Sequence, residues 1–189
     1  MKKLPLFFIV IVIAMMFISC GGGKTDMTQV QEDSVCVDVI PDTTVYGTCS
    51  SGTSMHSLEL VTDEGKTLTY IVDVENENSV VMGGMLAGDR MAVVGNLNGE
   101  GELVANKVIN ITTLLGKWTS IDKLFEIQEG GTVESSVKAE SHPWTSWKIY
   151  NCNLILNTDT FSIESLGADS LFLENEEGIY AFKRQRQQQ

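Results

Sequence analysis

The chain has 189 residues, with 13 Lys+Arg against 25 Asp+Glu, four Cys and two His. That length holds one or two small domains. The formal net charge of −12 argues against a nucleic-acid partner, whose phosphates call for clustered Lys and Arg. Two histidines exclude a His-rich metal site, and no metal or other cofactor is expected.

Lys2 and Lys3 precede an almost unbroken apolar run over residues 4–18. At about 15 residues the run is short for a bilayer-spanning helix, which needs about 20. Residues 1–19 therefore read as a secretory signal peptide. Phe17-Ile18-Ser19-Cys20 and the glycines after it resemble the lipobox of bacterial lipoproteins. The resemblance implies cleavage before Cys20 and acylation of that residue, and acyl chains in that number hold stably to a bilayer. Removing Lys2 and Lys3 leaves 11 basic against 25 acidic residues, a balance of −14. The expected address is the outer membrane. The expected side is the periplasmic face, because residues 21–26 lack the acidic run that follows the Cys in some surface-exported lipoproteins. Three cysteines then remain in an oxidising compartment: Cys36, Cys49 and Cys152. Cys36 and Cys49 could pair, or all three could be free thiols; the reading favours buried free thiols.

Residues 20–42 read as the lipidated Cys and a flexible tether. Val35-Cys36-Val37-Asp38-Val39-Ile40 is its one apolar burst, ended by Pro41. From residue 43 the apolar period is two. Residues 57–62 and 67–74 flank Asp63-Glu64-Gly65-Lys66, which is a hairpin signal. Residues 47–52, which contain Cys49, read as a loop. Residues 80–86 are the only helical candidate, a poor one because of Gly83-Gly84. Residues 91–94 and 103–111 are strands again. The Gly88-Asp89-Arg90 turn launching a strand resembles a small OB-type barrel, which assigns residues 43–111 to an OB-like module. It holds only Tyr46 and Tyr70 as aromatics and has no basic groove, so it lacks what single-stranded nucleic acid needs.

Aromatic composition changes near residue 112. Nine of the eleven aromatics after Cys20 lie from Trp118 onward. Residues 124–128, 147–150, 152–156, 160–164, 170–173 and 179–182 alternate and are split by short polar turns, as in an up-and-down barrel or strongly curved sheet. The Lys183-Arg184 tail reads as a frayed, solvated end. Gly116-Lys117-Trp118, Glu129-Gly130-Gly131-Thr132, the mid-domain Trp147-Lys148-Ile149, Leu154-Ile155-Leu156, the stretches 159–163 and 169–173, and the closing Tyr180–Arg184 strand together resemble the small lipocalin-like domains of Bacteroidetes-type envelope lipoproteins. The resemblance covers about residues 112–186. It implies a barrel whose Trp118 plugs the closed end. About 75 residues are few for eight strands around a cavity, which leaves two options: a small filled barrel, or strands lent by the first module.

No nucleophile elbow, zinc-protease motif, P-loop or C-x-x-C is present. Cys49 near His56 reads as an inert loop thiol. The carboxylate pairs Asp63-Glu64 and Glu176-Glu177 lie in turns, and turn residues mostly face solvent. Asn110-Ile111-Thr112 fits the glycosylation pattern at a strand end. Trp144, Trp147 and Tyr150 form the one cluster that suggests a ligand. The expectation is an all-β chain of antiparallel small barrels, an OB-like module followed by a lipocalin-like meander. It is read as a non-enzymatic envelope lipoprotein that takes a small apolar ligand or an envelope partner, with Trp147, Phe125 and Phe161 as ligand contacts. The alternative is a structural or inhibitor-like interaction module without a cavity.

Overall fold

Alternating strands leave each sheet with one apolar face to bury, and both sheets here bury it by closing on themselves. The structure is a computed structural model that describes residues 40–73, 80–136 and 142–185. The stretch expected to be a signal peptide, Cys20, Cys36 and the expected tether up to Val39 lie outside the described residues.

The first sheet contains β1 (Val45–Cys49), β2 (Ser57–Thr62), β3 (Thr67–Ile71), β4 (Val81–Met82), β5 (Arg90–Leu97) and β6 (Leu103–Asn110), in the order β3-β2-β1-β5-β6-β4. β3 also pairs in parallel with β6, Tyr70 opposite Leu103, which closes five strands into an OB-like barrel. Leu58 and Leu60 on β2 and Met91 and Val93 on β5 alternate into its core with Tyr70 and Val108. The β5–β6 ladder shifts register between Val94 and Gly95. A Cβ at Gly95 would stand 2.4 Å from the Val104 carbonyl and 3.0 Å from the Tyr70 ring, so the bend needs glycine.

Two stretches of this sheet depart from the sequence expectation. Residues 80–86 form no helix; Val81–Met82 runs as a short strand beside β6, and positive φ at Gly83 and Gly84 prevents a helix. Gly47, Thr48 and Cys49 are not a loop but the end of β1, where a Cβ on Gly47 would come within 2.5 Å of the Val61 carbonyl. The helix lies instead at α1 (Ile111–Leu114), capped by the Asn110 side chain, which accepts from the Thr113 N–H at 2.9 Å.

The second sheet contains β7 (Gly116–Thr119), β8 (Leu124–Ile127), β9 (Val133–Ser135), β10 (Trp147–Tyr150), β11 (Asn153–Leu156), β12 (Asp159–Leu166), β13 (Ser170–Asn175) and β14 (Gly178–Arg184). Its order is β10-β11-β12-β13-β14-β7-β8-β9, so strands adjacent in sequence pair throughout and β14 returns to β7. The two edges, β9 and β10, approach through a Thr132–Ser146 bridge and a hydrogen bond from Val133 N–H to the Thr145 carbonyl at 3.0 Å. The result is a nearly closed eight-stranded antiparallel barrel. All eight strands follow residue 115, so the first module lends none. The short chain suffices because some strands are only three or four residues long.

One end of this barrel is plugged. Trp118 is fully buried, and its indole N–H donates to the Leu114 carbonyl at 2.9 Å. The Arg184 guanidinium lies 4.1 Å from the centre of the Trp118 ring and donates to the carbonyls of Leu115 and Thr113. Lys183 and Arg184 are therefore not frayed tail; they end β14. Gly116 has φ +119, and a Cβ there would stand 2.7 Å from Arg184 Nη1. The plugged end abuts the first barrel. Ala92 and Ile109, on the outer face of β5–β6, share one apolar cluster with Ile111, Leu114 and the interior of the second barrel.

Candidate functional site

The opposite end of the second barrel is its mouth. Three hairpin connections and the approach to β10 meet there and enclose a cup of about 460 Å³. The β7–β8 turn contributes Lys123. It is held by a hydrogen bond from Ser120 N–H to the Lys123 carbonyl at 2.8 Å and another from Lys123 N–H to Ser120 Oγ at 3.1 Å. The start of β12 contributes Asp159, Thr160 and Phe161, and the β13–β14 turn contributes Asn175, Glu176 and Glu177. Tyr180 stands on β14, and its hydroxyl donates to Glu177 Oε2 at 2.9 Å. That hydrogen bond pushes the Tyr180 phenol above its ordinary pKa, with desolvation and the Glu177 charge adding to it.

Trp144 is set in place by a neighbouring turn. Asn157, with φ 56, follows β11. Its Oδ1 accepts from Thr145 N–H at 2.9 Å and Ser146 N–H at 3.2 Å, and its Nδ2 donates to the Pro143 carbonyl at 3.1 Å. This clamp holds the segment on either side of Trp144, which points inward and is only 5% exposed. Beneath the cup the rings interlock edge to face: Phe125 with Trp144 at 5.0 Å, Phe125 with Phe182 at 5.1 Å, Trp144 with Phe161 at 5.7 Å and Phe161 with Tyr180 at 5.7 Å. The Lys123 ammonium lies 4.1 Å from the centre of the Trp144 ring.

The three residues expected to contact a ligand do not converge. Phe161 forms part of the floor of the cup. Phe125 is one layer deeper, buried against Trp144 and Phe182. Trp147 is outside the barrel, half-buried, with its indole N–H committed to the Gln128 carbonyl at 2.7 Å. It lines a second cleft of about 520 Å³ between the barrels, with Tyr46, Arg90, Ile111, Leu115 and Lys148. There Arg90 is paired with the Asp63 carboxylate and lies 5.8 Å from the Tyr46 ring centre. Cys20, the expected lipidation site, lies outside the described residues.

No protein-family model, curated protein or solved structure matches the chain.

Cys49 and Cys152 are free and buried. The Cys49 thiol donates to Thr53 Oγ1 at 3.3 Å, while His56 is exposed. Among the described residues no group of His, Cys, Asp and Glu could hold a metal ion, and no helix is long and apolar enough to cross a membrane. Asn110 is 1% exposed, with its amide turned inward to Gly84 and Asp89, so its glycosylation pattern is unreachable in the folded chain. Sequence reading missed Lys123, Asp159, Glu176 and Tyr180 as companions of Phe161. A signal was present: in an up-and-down barrel alternate connections emerge at one end, which brings residues 120–123, 157–159 and 175–178 together.

Proposed function

We propose that this chain is a lipid-anchored, non-enzymatic binding module of the cell envelope, lipocalin-like in its second barrel, that takes a small ligand in the cup at the mouth of that barrel. One observation carries the reading: the barrel is filled except at its mouth, where an aromatic floor faces a polar rim. A pocket with an apolar base and a few convergent polar groups is the usual design of a small-molecule site. The ligand lays an apolar face on Trp144 and Phe161 and turns its polar groups to the rim. The interior below is too full of Phe125, Phe182 and Leu side chains for a deeply buried ligand. The anchor rests on the lipobox at Cys20. It predicts palmitate labelling that Cys20→Ala abolishes.

The ligand is tested by native mass spectrometry of the full chain, purified gently from its membrane. We expect a mass excess on the wild type that is lost in Thr160→Trp, which fills the cup from an exposed position. An unloaded wild-type mass, or an excess that Thr160→Trp retains, overturns the reading.

A second reading, a protein-interaction module, draws on an apolar strip beside the cup. Ile121 is fully exposed, Ile179 is 67% exposed and Phe172 is 38% exposed. Ile121, Ile179 and Ala181 line one shallow depression there. Isolated exposed apolar residues are ordinary, but a contiguous strip marks a contact surface.

A further inference from the structure

We infer that the turn between β5 and β6 is an autocatalytic modification site, at which Asn98 loses its side-chain amide to attack by the backbone nitrogen of Gly99. The inference stands apart from the cup. Asn98-Gly99 is the one Asn-Gly pair in the sequence. Four observations converge on it. First, the nucleophile is accessible. Gly99 is exposed, a Cβ there would meet nothing within 4 Å, and its N–H donates to no described residue. Second, the carbonyl under attack is polarised. Asn98 Oδ1 accepts from Glu100 N–H and from Glu102 N–H, both at 2.9 Å. Two backbone donors on one carbonyl oxygen are the arrangement that stabilises an oxyanion. Third, the leaving nitrogen has a proton carrier, because Asn98 Nδ2 donates to Glu102 Oε2 at 3.1 Å. Fourth, the frame of the turn is fixed. Asn98 N–H donates to the Glu102 carbonyl at 2.9 Å and Gly101 N–H to the Asn98 carbonyl at 3.1 Å, so the two donors are in place before the reaction starts.

Gly99 N forms a bond to Asn98 Cγ and gives up its proton, which the Glu102 carboxylate passes to Nδ2. The Cγ–Nδ2 bond breaks, ammonia leaves and a succinimide closes. Water then opens the ring at either carbonyl, leaving an aspartate or an isoaspartate in place of Asn98. Nothing is oxidised or reduced. Asn175 is the internal control. Its Oδ1 accepts from Glu177 N–H at 2.9 Å in a similar turn, but the next residue is Glu176, whose side chain crowds the backbone nitrogen. Either product at position 98 exchanges an amide donor for a carboxylate that faces Glu102, so a hydrogen bond gives way to like-charge repulsion. The isoaspartate also lengthens the main chain of the turn. That turn adjoins the Leu97–Leu103 pair, and Leu103 is also opposite Tyr70 where β6 meets β3 and closes the first barrel. Conversion therefore loosens the closure as the protein ages.

The test incubates the full chain at neutral pH, folded in buffer and unfolded in urea. Conversion is followed by peptide mapping for the amide-to-acid mass change, with electron-transfer fragmentation to separate isoaspartate from aspartate. We expect Asn98 to convert about tenfold faster in the folded chain, since the two donors are pre-placed only there. Glu102→Gln should slow the folded chain about tenfold and leave the unfolded rate unchanged. Asn175 should convert far more slowly than Asn98 in the folded chain. Glu102 is exposed, and an unaltered thermal transition confirms that the variant is folded. Amide hydrogen exchange at Leu103 and Val104 should rise in the converted fraction. A folded rate at or below the unfolded rate overturns the inference, as does a folded Glu102→Gln variant that converts as fast as the wild type, or an Asn175 that converts as fast as Asn98. Exchange at Leu103 and Val104 that stays the same on conversion overturns the loosened closure.

Discussion

Three hydrogen bonds of the Arg184 guanidinium go to backbone carbonyls, and it lies against an aromatic ring. It donates to Ala168, Leu115 and Thr113, and its plane lies over Trp118. Burial holds its pKa below the usual arginine value, with the Asp169 charge acting in the other direction. An arginine used in this way is a strut between the last strand, the first strand and the helix before it. Arg184→Ala should lower stability by about 2–4 kcal/mol, as a lost cation–π contact and several orphaned carbonyls require. Arg184→Lys should recover little of that, because an ammonium lacks the planar fork. Urea denaturation of the two variants checks this. Cys152 makes a prediction about pH. It is buried with its thiol against the Lys107 carbonyl at 3.4 Å, and burial pushes its pKa up to about 11, partly offset by Val94 N–H and the Lys107 charge. The unfolded thiol ionises near the ordinary 9.0. Between pH 9 and about 11 the unfolded chain therefore loses a proton that the folded chain keeps, and stability falls as pH rises. The wild-type urea midpoint should drop more steeply across that window than the midpoint of Cys152→Ala. At pH 8, iodoacetamide should leave the native Cys152 thiol unmodified.

Among the elements, β11 has an unusual frame: an asparagine with positive φ stands beyond each end, Asn151 at 47° and Asn157 at 56°. Asparagine is among the few residues that adopt this conformation readily. Each also uses its side chain as a bracket. Asn151 accepts from Thr43 N–H at 2.8 Å and donates to the Pro41 carbonyl at 3.1 Å, while Asn157 holds residues 143–146. Two substitutions separate the roles at Asn157. Asn157→Gly keeps the backbone conformation and loses the bracket, so it should cost about 1–2 kcal/mol and raise amide exchange around Trp144. Asn157→Ala should cost about 1 kcal/mol more, from strain in the left-handed region. Similar losses in both variants would count against the strain account. Some of these elements were legible in the residues and some were not. The β2–β3 hairpin was, because Leu58, Leu60 and Leu68 alternate around an Asp-Glu-Gly turn. β1 was not, because Gly47 looks like a loop residue until Val61 is known to press against it. The cup was least legible. Its residues come from four connections spread over some 60 positions, and no local pattern records that those connections meet.

Residues 40–185 form one closed and one nearly closed barrel, and the apolar cluster of the second extends onto the outer face of β5–β6. Residues 91–93 of β5 and residues 108–110 of β6 are buried without alternation, because both faces of those strands are covered. Met91 and Val93 fill the first barrel, while Ala92 faces the second barrel's cluster. Hydrogen bonds follow the same seam, from Tyr46 hydroxyl to the Ile149 carbonyl at 2.8 Å and from Arg90 N–H to Thr112 Oγ1 at 2.8 Å. Residues 40–185 should therefore unfold in a single calorimetric transition, with a van't Hoff enthalpy equal to the calorimetric one. Residues 43–111 and 112–186 expressed apart should each be markedly less stable than the joined chain. Two resolved transitions would show that the seam couples the barrels only weakly.

The bracket at Asn151 has a mechanical consequence. Asp42 and Asn151 tie residues 41–43 to the β10–β11 turn, at the plugged end of the second barrel, while the cup opens at the other end. Traction applied at residue 40 would meet the Asn151 bracket and then β1, and would leave the four connections of the cup unloaded. The second barrel would thus keep its open end undistorted while being pulled from the other.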